Sequence, residues 1–232
     1  MDRIYCGPPP LPGELWVSWN LDPVLLTALA VLTWLVRRQP AGLAAIAILI
    51  VTFVSPLCAL SSALFSARVV HHILLVAGAA PLLALVLRGK TSAGITVPFV
   101  VSTLILWMWH HPAAYDLALS NVAVYWLMQL TLLVSAVWFW RSVFNADGAP
   151  VERLLFVIAA FAQMGMLGAI LTFAPSALYL AHGMAPLEWG LTPLRDQQLG
   201  GLIMWVPAGL PYAIFAIGLA RRSWTQLEER AA

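Results

Sequence analysis

The stretch from Arg68 to Arg88, RVVHHILLVAGAAPLLALVLR, decides the fold class of this chain. Its two arginines are 20 positions apart, and no charged residue lies between them. A helix rises about 1.5 Å per residue, so the stretch covers about 30 Å, which is the thickness of the hydrocarbon core of a bilayer. It therefore predicts a transmembrane helix.

The rest of the chain repeats this pattern. Of its 232 residues, 62% are hydrophobic and only 9% are charged, whereas soluble domains have about 45–50% apolar and about 25% charged residues. The Leu, Ala, Val and Ile content favours helices over the alternating strands of a membrane barrel. We predict an all-α, polytopic membrane protein with a seven-transmembrane-helix bundle over residues 22–220, an outer interfacial segment 1–21 and a cytoplasmic tail 221–232. The spans correspond to seven charge-free stretches: 23–36, 39–67, 69–87, 91–115, 117–140, 154–187 and 197–220.

The basic residues predict the orientation of the bundle. If the seven spans alternate, nine Lys and Arg residues fall on one side and three on the other. The side rich in Lys and Arg is cytoplasmic, so the N-terminus is predicted outside and the C-terminus inside. The nine are Arg37, Arg38, Arg88, Lys90, Arg141, Arg153, Arg221, Arg222 and Arg230, and the three are Arg3, Arg68 and Arg195.

All five histidines fall at the predicted outer end of the spans. His71 and His72 open the third span, His110 and His111 close the fourth, and His182 lies in the last outer loop. Two imidazole pairs at matching depth indicate a shared polar site that holds a metal. The competing interpretation is that these side chains reach the headgroup region as interfacial residues.

Three further residues are candidates for this site or its surroundings. His182 and Met184 offer an imidazole and a thioether, ligands that suit Cu(I). Asp196 begins the seventh span, where a carboxylate favours the helix dipole and caps the helix. It is also a candidate ligand, or a partner that orients a ligand. In the sixth span, Gly165 and Gly168 predict a close approach between helices.

Other functions lack a supporting motif. The sequence contains no phosphate-binding loop, no His-Glu-x-x-His and no usable Ser/His/Asp set, so we expect no enzyme. The net charge of +2 gives no sign of nucleic-acid binding. Cys6 and Cys58 would both face an oxidising compartment, where disulfides form, but we expect them to be unpaired.

Several motifs resemble the polytopic CtaG family of cytochrome c oxidase assembly factors. The similarity covers most of residues 55–222 and is most specific near the seventh span. Its motifs are Ser66-Ala67 through His72, Ala79-Ala80-Pro81-Leu82-Leu83, Trp109-His110-His111-Pro112 with Tyr115-Asp116, Phe139-Trp140, Trp189-Gly190-Leu191, Asp196-Gln197-Gln198 with Gly200-Gly201, and Met204-Trp205-Val206-Pro207.

The resemblance implies a seven-helix protein of the bacterial plasma membrane that helps copper reach a haem–copper oxidase from the outer face. Family members carry two His-x-x-x-His pairs, which open spans three and five. His72 matches one of these histidines, and His110 matches a Trp-His-x-Pro motif. Arg68 stands where the partner of His72 belongs, and Tyr125 and Gln129 stand where the second pair belongs.

The leading hypothesis is therefore a copper-linked assembly factor. His72 and His110 would be the main ligands, followed by His71, His111, His182, Met184 and Asp196. Its partners would be the lipid bilayer and either oxidase subunits or copper chaperones. The alternatives are a metal-free scaffold for a nascent oxidase subunit, a b-type haem protein with two axial histidines, and a copper permease.

Overall fold

The computed structural model describes residues 5–87, 94–145 and 150–231. These residues form helices, 3-10 turns and loops, and no strand occurs among them. The helices are α1 (Pro23–Val36), α2 (Pro40–Phe53), α3 (Pro56–Ala63), α4 (Phe65–Val86), α5 (Thr96–His110), α6 (Pro112–Ser120), α7 (Val122–Asn145), α8 (Pro150–Thr172), α9 (Pro193–Trp205) and α10 (Gly209–Ala231). Six of them begin with proline, which fits the first helical position because the N–H that it lacks would have no partner there.

The helices confirm the all-α prediction for the described residues. They support only part of the predicted count of seven transmembrane spans. Within the described residues, four helical segments are long and apolar enough to cross a membrane: Phe65–Val86, Val122–Phe144, Pro150–Thr172 and Pro193–Gly218. The last of these combines α9 with the first part of α10. The bent pair α2 and α3 gives a fifth if it counts as one span, while α1 and α5 are shorter apolar helices. Every predicted span thus contains a helix. The count of seven and the orientation stay predictions, and we call the end that carries Cys6 and His182 the outer end.

The second predicted span, which lies in the charge-free stretch 39–67, is broken. The axes of α2 and α3 differ by 46°. The break lies at Val54 and Ser55, where the Ser55 hydroxyl accepts a hydrogen bond from Leu57 N–H and so caps α3. After α3, Leu64 is extended (φ −121°, ψ 132°). Residues 60–67 therefore contain the end of α3 and the start of α4, so that the third predicted span begins early, at Phe65.

α4 is continuous but widens into a π-helical stretch at Leu74–Ala79. In this stretch the N–H of Ala80 bonds to the carbonyl of Leu75, five residues back. The same register would pair the Val76 carbonyl with Pro81, which has no N–H. The indole of Trp140 in α7 donates to that carbonyl instead, at 3.0 Å, so a neighbouring helix satisfies the acceptor that proline leaves free.

The helices α8 and α9 approach each other closely. A Cβ atom added at Gly168 would lie 2.7 Å from the carbonyl oxygen of Gly201 and 3.0 Å from the backbone nitrogen of Trp205. Only a residue without a side chain fits there. The prediction that Gly165 and Gly168 mark a close helix contact is confirmed, since Gly165 also packs against Trp205.

The expectation that the cysteines are unpaired is wrong. Cys6 and Cys58 form a disulfide between the outer segment and α3, with Cα atoms 5.2 Å apart. The pair is separated by 52 residues in sequence, and no local pattern indicates so distant a partner. The bond ties the outer segment to α3, just after the break between α2 and α3.

Candidate metal and polar site

The carboxylate of Asp196 holds the first turn of α4 in place. It accepts hydrogen bonds from the N–H of Phe65 (2.6 Å), the N–H of Ser66 (3.1 Å) and the hydroxyl of Ser66 (2.5 Å). The first N–H groups of a helix have no partner within it, and negative charge is favourable there. The interpretation of Asp196 as the cap of its own helix is wrong, because the Thr192 hydroxyl caps α9 by accepting from the N–H of Arg195. Asp196 caps the helix that carries the histidines instead.

Three imidazoles converge one to two turns below this cap. The ring centroids of His71 and His72 lie 5.8 Å apart, and those of His72 and His110 lie 5.9 Å apart. All three side chains are buried. None of the ring nitrogens of His71 and His72 has a hydrogen-bond partner. The structure therefore brings together two histidines from α4 and one from α5, as the sequence predicted.

The tautomer of His110 leaves one nitrogen available. Its Nδ1 lies 2.8 Å from the carbonyl oxygen of Leu106. A carbonyl oxygen only accepts, so Nδ1 carries the proton and Nε2 keeps its lone pair. The bond also fixes the orientation of the ring, which is a common arrangement for a metal-binding histidine.

Arg68 lies inside the bundle beside these rings, and counting it among the outer loop charges is wrong. Its side chain is 0% exposed. Nη1 donates to the hydroxyl of Tyr125 at 3.3 Å, and the guanidinium carbon is 5.2 Å from the centre of the Tyr125 ring. Nε and Nη2 have no hydrogen-bond partner, and neither has either amide atom of Gln129 one turn farther along α7. Buried polar atoms without partners are rare and mark places where water, an ion or a ligand belongs.

The outer segment covers this group of polar side chains. Tyr5 stacks on Tyr125, with centroids 5.2 Å apart, and meets Trp126 edge-on at 4.8 Å. The Sγ of Cys6 is 3.4 Å from the hydroxyl of Tyr125. At the other end of the segment, the side chain of Asn20 donates to the carbonyl of Phe53 at 3.1 Å. Residues 5–22 therefore lie as a strap across the outer ends of α2, α3 and α7.

His182 and Met184 do not face the same place. His182 is buried. Its Nε2 lies 2.7 Å from the Tyr115 hydroxyl, and its Nδ1 lies 3.2 Å from the Ser62 carbonyl oxygen. Burial, followed by the positive charge of Arg68, lowers the pKa of His182 to about 3. Met184 is 67% exposed. The predicted His182–Met184 ligand pair is not assembled in the structure.

The remaining candidate, His111, lies outside the converging rings. It is exposed and forms the junction between α5 and α6. Among the described residues, no group of three or more His, Cys, Asp or Glu side chains is arranged to hold a metal ion. The converging imidazoles thus offer a site with two or three nitrogen ligands and no carboxylate or thiolate.

Sequence reasoning missed the polar partners of the histidines. It named Arg68, Tyr125 and Gln129 only as replacements for family histidines, whereas the structure places them together beside His71. The sequence could have predicted this grouping, because residues at the positions of ligands that share one site should lie close together in the fold. The strap contacts of Tyr5 and Cys6 had no comparable signal in the sequence.

A family model describes more than half of the chain. The model of the cytochrome c oxidase caa3 assembly factor family (Caa3_CtaG) matches residues 86–226. The match includes His110, Tyr125, Gln129 and Asp196 and begins after the histidines of α4. No similar curated protein and no similar solved structure was found. The chain belongs to the cytochrome c oxidase caa3 assembly factor family.

Proposed function

We propose that this protein assists the assembly of a cytochrome c oxidase by holding Cu(I) transiently near the outer face of the bacterial plasma membrane. His72 and His110 are the two ligands of the ion, which is cargo rather than a resident cofactor. Family membership supports the role in assembly. The apolar helices support the membrane location.

The approach of His72 to His110 is the observation that carries the proposal. Two imidazoles that each bind one ion at about 2.0–2.1 Å have ring centroids about 5–6.5 Å apart, depending on the angle at the metal. The observed centroid separation is 5.9 Å. Both nitrogens of His72 lack partners, and Nε2 of His110 keeps its lone pair because Nδ1 is used by Leu106. The donor set therefore fits an ion that accepts two nitrogen ligands.

The surroundings favour a weak and releasable site. Neutral imidazoles contribute no negative charge, and Arg68 places a guanidinium one helical turn before His72 on the same face of α4. Like charges in a medium of low dielectric repel strongly, so Arg68 lowers the affinity for any cation. Release to an oxidase subunit or a copper chaperone then requires less free energy. His71 is the nearest candidate for a third ligand.

The other predicted ligands contribute less to the proposal. The carboxylate of Asp196 is used by the first turn of α4, and the nitrogens of His182 are used by Tyr115 and Ser62. His111 and Met184 are exposed. Their exposure leaves them free to meet an incoming copper donor.

Competition for Cu(I) between the purified protein and a colorimetric chelator tests the proposal. We expect one ion per wild-type chain and no measurable binding by His72→Ala/His110→Ala. His111→Ala is the matched control, because it removes the neighbouring exposed imidazole and leaves the pair intact. Equal Cu(I) affinity in the wild type and the double variant would reject His72 and His110 as ligands.

A metal-free scaffold is the second candidate function, and the guanidinium of Arg68 among the histidines favours it. Oxidase assembly in a deletion strain separates the two. Under the copper proposal, His72→Ala/His110→Ala fails to restore oxidase activity, and excess copper partly rescues it. Under the scaffold alternative, a variant without any of the five histidines restores full activity. A Soret band in the purified protein would point to the haem alternative instead.

A further inference from the structure

The Cys6–Cys58 disulfide is a chemically reactive group that the proposed function leaves unused. The chain has these two cysteines and no other, and the bond joins the strap to α3, with Cα atoms 5.2 Å apart. Cys58 has no exposed surface, whereas Cys6 retains 7%. A disulfide that serves only as a cross-link needs no polar partner at its sulfur atoms. Both sulfur atoms have such a partner here.

Each sulfur accepts a hydrogen bond. The Tyr125 hydroxyl lies 3.4 Å from the Sγ of Cys6, and it is the donor because a disulfide sulfur has no proton. The side-chain nitrogen of Asn20 donates to the Sγ of Cys58 at 3.8 Å. Hydrogen bonds to an ionised acceptor are stronger than those to a neutral one, so these donors stabilise thiolates more than they stabilise the disulfide. The surroundings therefore favour a pair of thiolates.

Arg68 supplies the positive charge that such a pair requires. Its guanidinium is buried, and within the described structure it donates to the same Tyr125 hydroxyl, at 3.3 Å, while Nε and Nη2 have no partner. Tyr125 thus accepts from Arg68 and donates to Cys6. No carboxylate of the described residues bonds to Arg68. A buried cation without a counter-charge is costly, and negative charge at the two sulfur atoms would lower that cost.

We propose that Cys6 and Cys58, when reduced, bind one Cu(I) ion as a dithiolate. Thiolates are soft ligands that select Cu(I). With Cα atoms 5.2 Å apart, both sulfur atoms reach one ion after rotation of their side chains. Two thiolates and one Cu(I) carry a single net negative charge, which the single positive charge of Arg68 balances. The inference deepens the proposed function, and its role in oxidase assembly rests on that function.

Thiol–disulfide exchange loads and empties this site. A dithiol partner reduces the Cys6–Cys58 bond to two thiols and becomes a disulfide itself. Binding of Cu(I) then releases two protons, one from each thiol. A disulfide-bearing partner later accepts two electrons from the thiolates and takes up two protons, so that the Cys6–Cys58 bond forms again and Cu(I) leaves with its oxidation state unchanged. Cys6 is the sulfur that the incoming thiol attacks, because Cys58 has no exposed surface.

The Cu(I) stoichiometry of His72→Ala/His110→Ala in two redox states tests this inference. The variant lacks the imidazole pair, so failure of the imidazole site and failure of the dithiolate site give different results. Anaerobic competition with a colorimetric chelator is carried out on the oxidised protein and on protein reduced with a phosphine that is then removed. We expect no ion per chain in the oxidised form and one in the reduced form. X-ray absorption of the bound copper should show two sulfur neighbours.

Two variants make the result specific. Cys6→Ser/Cys58→Ser in the same background changes the size little, and should bind no Cu(I) after the same reduction. Arg68→Met keeps the length of the side chain and removes its charge, and should weaken Cu(I) binding by the reduced cysteines about tenfold. In the oxidised wild type, where His72 and His110 bind the ion, the same substitution should strengthen binding. A general effect on folding would not give these opposite signs.

Four results would overturn the dithiolate site. They are equal copper binding by the oxidised and reduced forms of the variant without the imidazole pair, equal binding by its serine derivative, copper without sulfur neighbours, and a disulfide that stays closed in excess phosphine. Tryptophan fluorescence follows the fold, and unfolding on reduction would also overturn the proposal, since the bond would then be structural. If the oxidised wild type binds no Cu(I) but the reduced form binds one ion, the imidazole site fails and the dithiolate site stands.

Discussion

Removal of the negative charge of Asp196 should destabilise the outer end of the bundle. Asp196→Asn keeps the size of the side chain but replaces one acceptor with an NH₂ group, which faces the donor N–H of Phe65 or Ser66. One N–H in the first turn of α4 then loses its partner, which costs about 1–3 kcal/mol. Loss of the interaction with the helix dipole costs about 0.3–1 kcal/mol more.

The two contributions together predict a loss of about 2 kcal/mol or more in the free energy of unfolding. For a chain of this length, this corresponds to a fall of about 4–8 °C in Tm. The 11 tryptophans of the protein allow Tm to be followed by intrinsic fluorescence in detergent. Ser66→Ala removes only the hydroxyl that donates to the carboxylate, so its effect should be smaller than that of Asp196→Asn.

Glu14→Gln is the matched control, because it removes one negative charge from an exposed side chain of the outer segment. Its Tm should stay close to that of the wild type, since surface substitutions usually change stability by no more than about 0.5 kcal/mol. If Asp196→Asn has as little effect as Glu14→Gln, the carboxylate does not cap α4. The positioning of the histidines would then need another explanation.

Three further predictions concern the outer segment, the last loop and the packing of α8. His182 binds a proton less readily in the folded protein, where its pKa is about 3, than in the unfolded chain, where it is about 6.5. The free energy of unfolding is therefore highest above pH 6.5 and decreases as the pH falls toward 3. At pH 5 the decrease due to His182 is about 2 kcal/mol. Protection factors for amide exchange in residues 176–190, which correct for the intrinsic pH dependence of the rate, should fall at pH 5, and the same pH change should have less effect in His182→Gln. Gly168→Ala should lower the free energy of unfolding by about 1–3 kcal/mol through overpacking. As a control, Gly218→Ala meets no atom within 4 Å and should be neutral or slightly stabilising in a thermal scan. Equal effects of the two substitutions would refute the close contact between α8 and α9. Cys6→Ser/Cys58→Ser should lower stability by about 2–4 kcal/mol, measured against the oxidised wild type, and an unchanged Tm would show that the disulfide does not hold the strap.

The helical architecture could be predicted because it depends on local composition. Charge spacing identified α4 from Arg68 and Arg88, and a helix occurs in each of the other charge-free stretches. Gly168 indicated a close helix contact, because a residue without a side chain lets two helix backbones come together. These features follow from single residues or from short runs.

The features that the sequence did not predict all depend on distant partners. Asp196 caps a helix that begins about 130 residues earlier, and Cys6 pairs across 52 residues. Arg68 is buried against Tyr125 of α7, although a cation at the end of an apolar stretch usually marks an interface. Propensity and hydropathy contain no information about which helices become neighbours.

The replaced family positions connect the fold to the strength of the proposed copper site. Arg68 and Tyr125 stand where the resemblance implies histidines, and they bond to each other across α4 and α7. This chain thus has a fixed positive charge where the resemblance implies a neutral ligand, while His72 and His110 approach each other from α4 and α5. Like charges repel strongly in a medium of low dielectric, and every 1.4 kcal/mol of repulsion lowers cation affinity about tenfold. The proposed copper site would therefore bind a cation more weakly with Arg68 beside it than the imidazoles of His72 and His110 would alone.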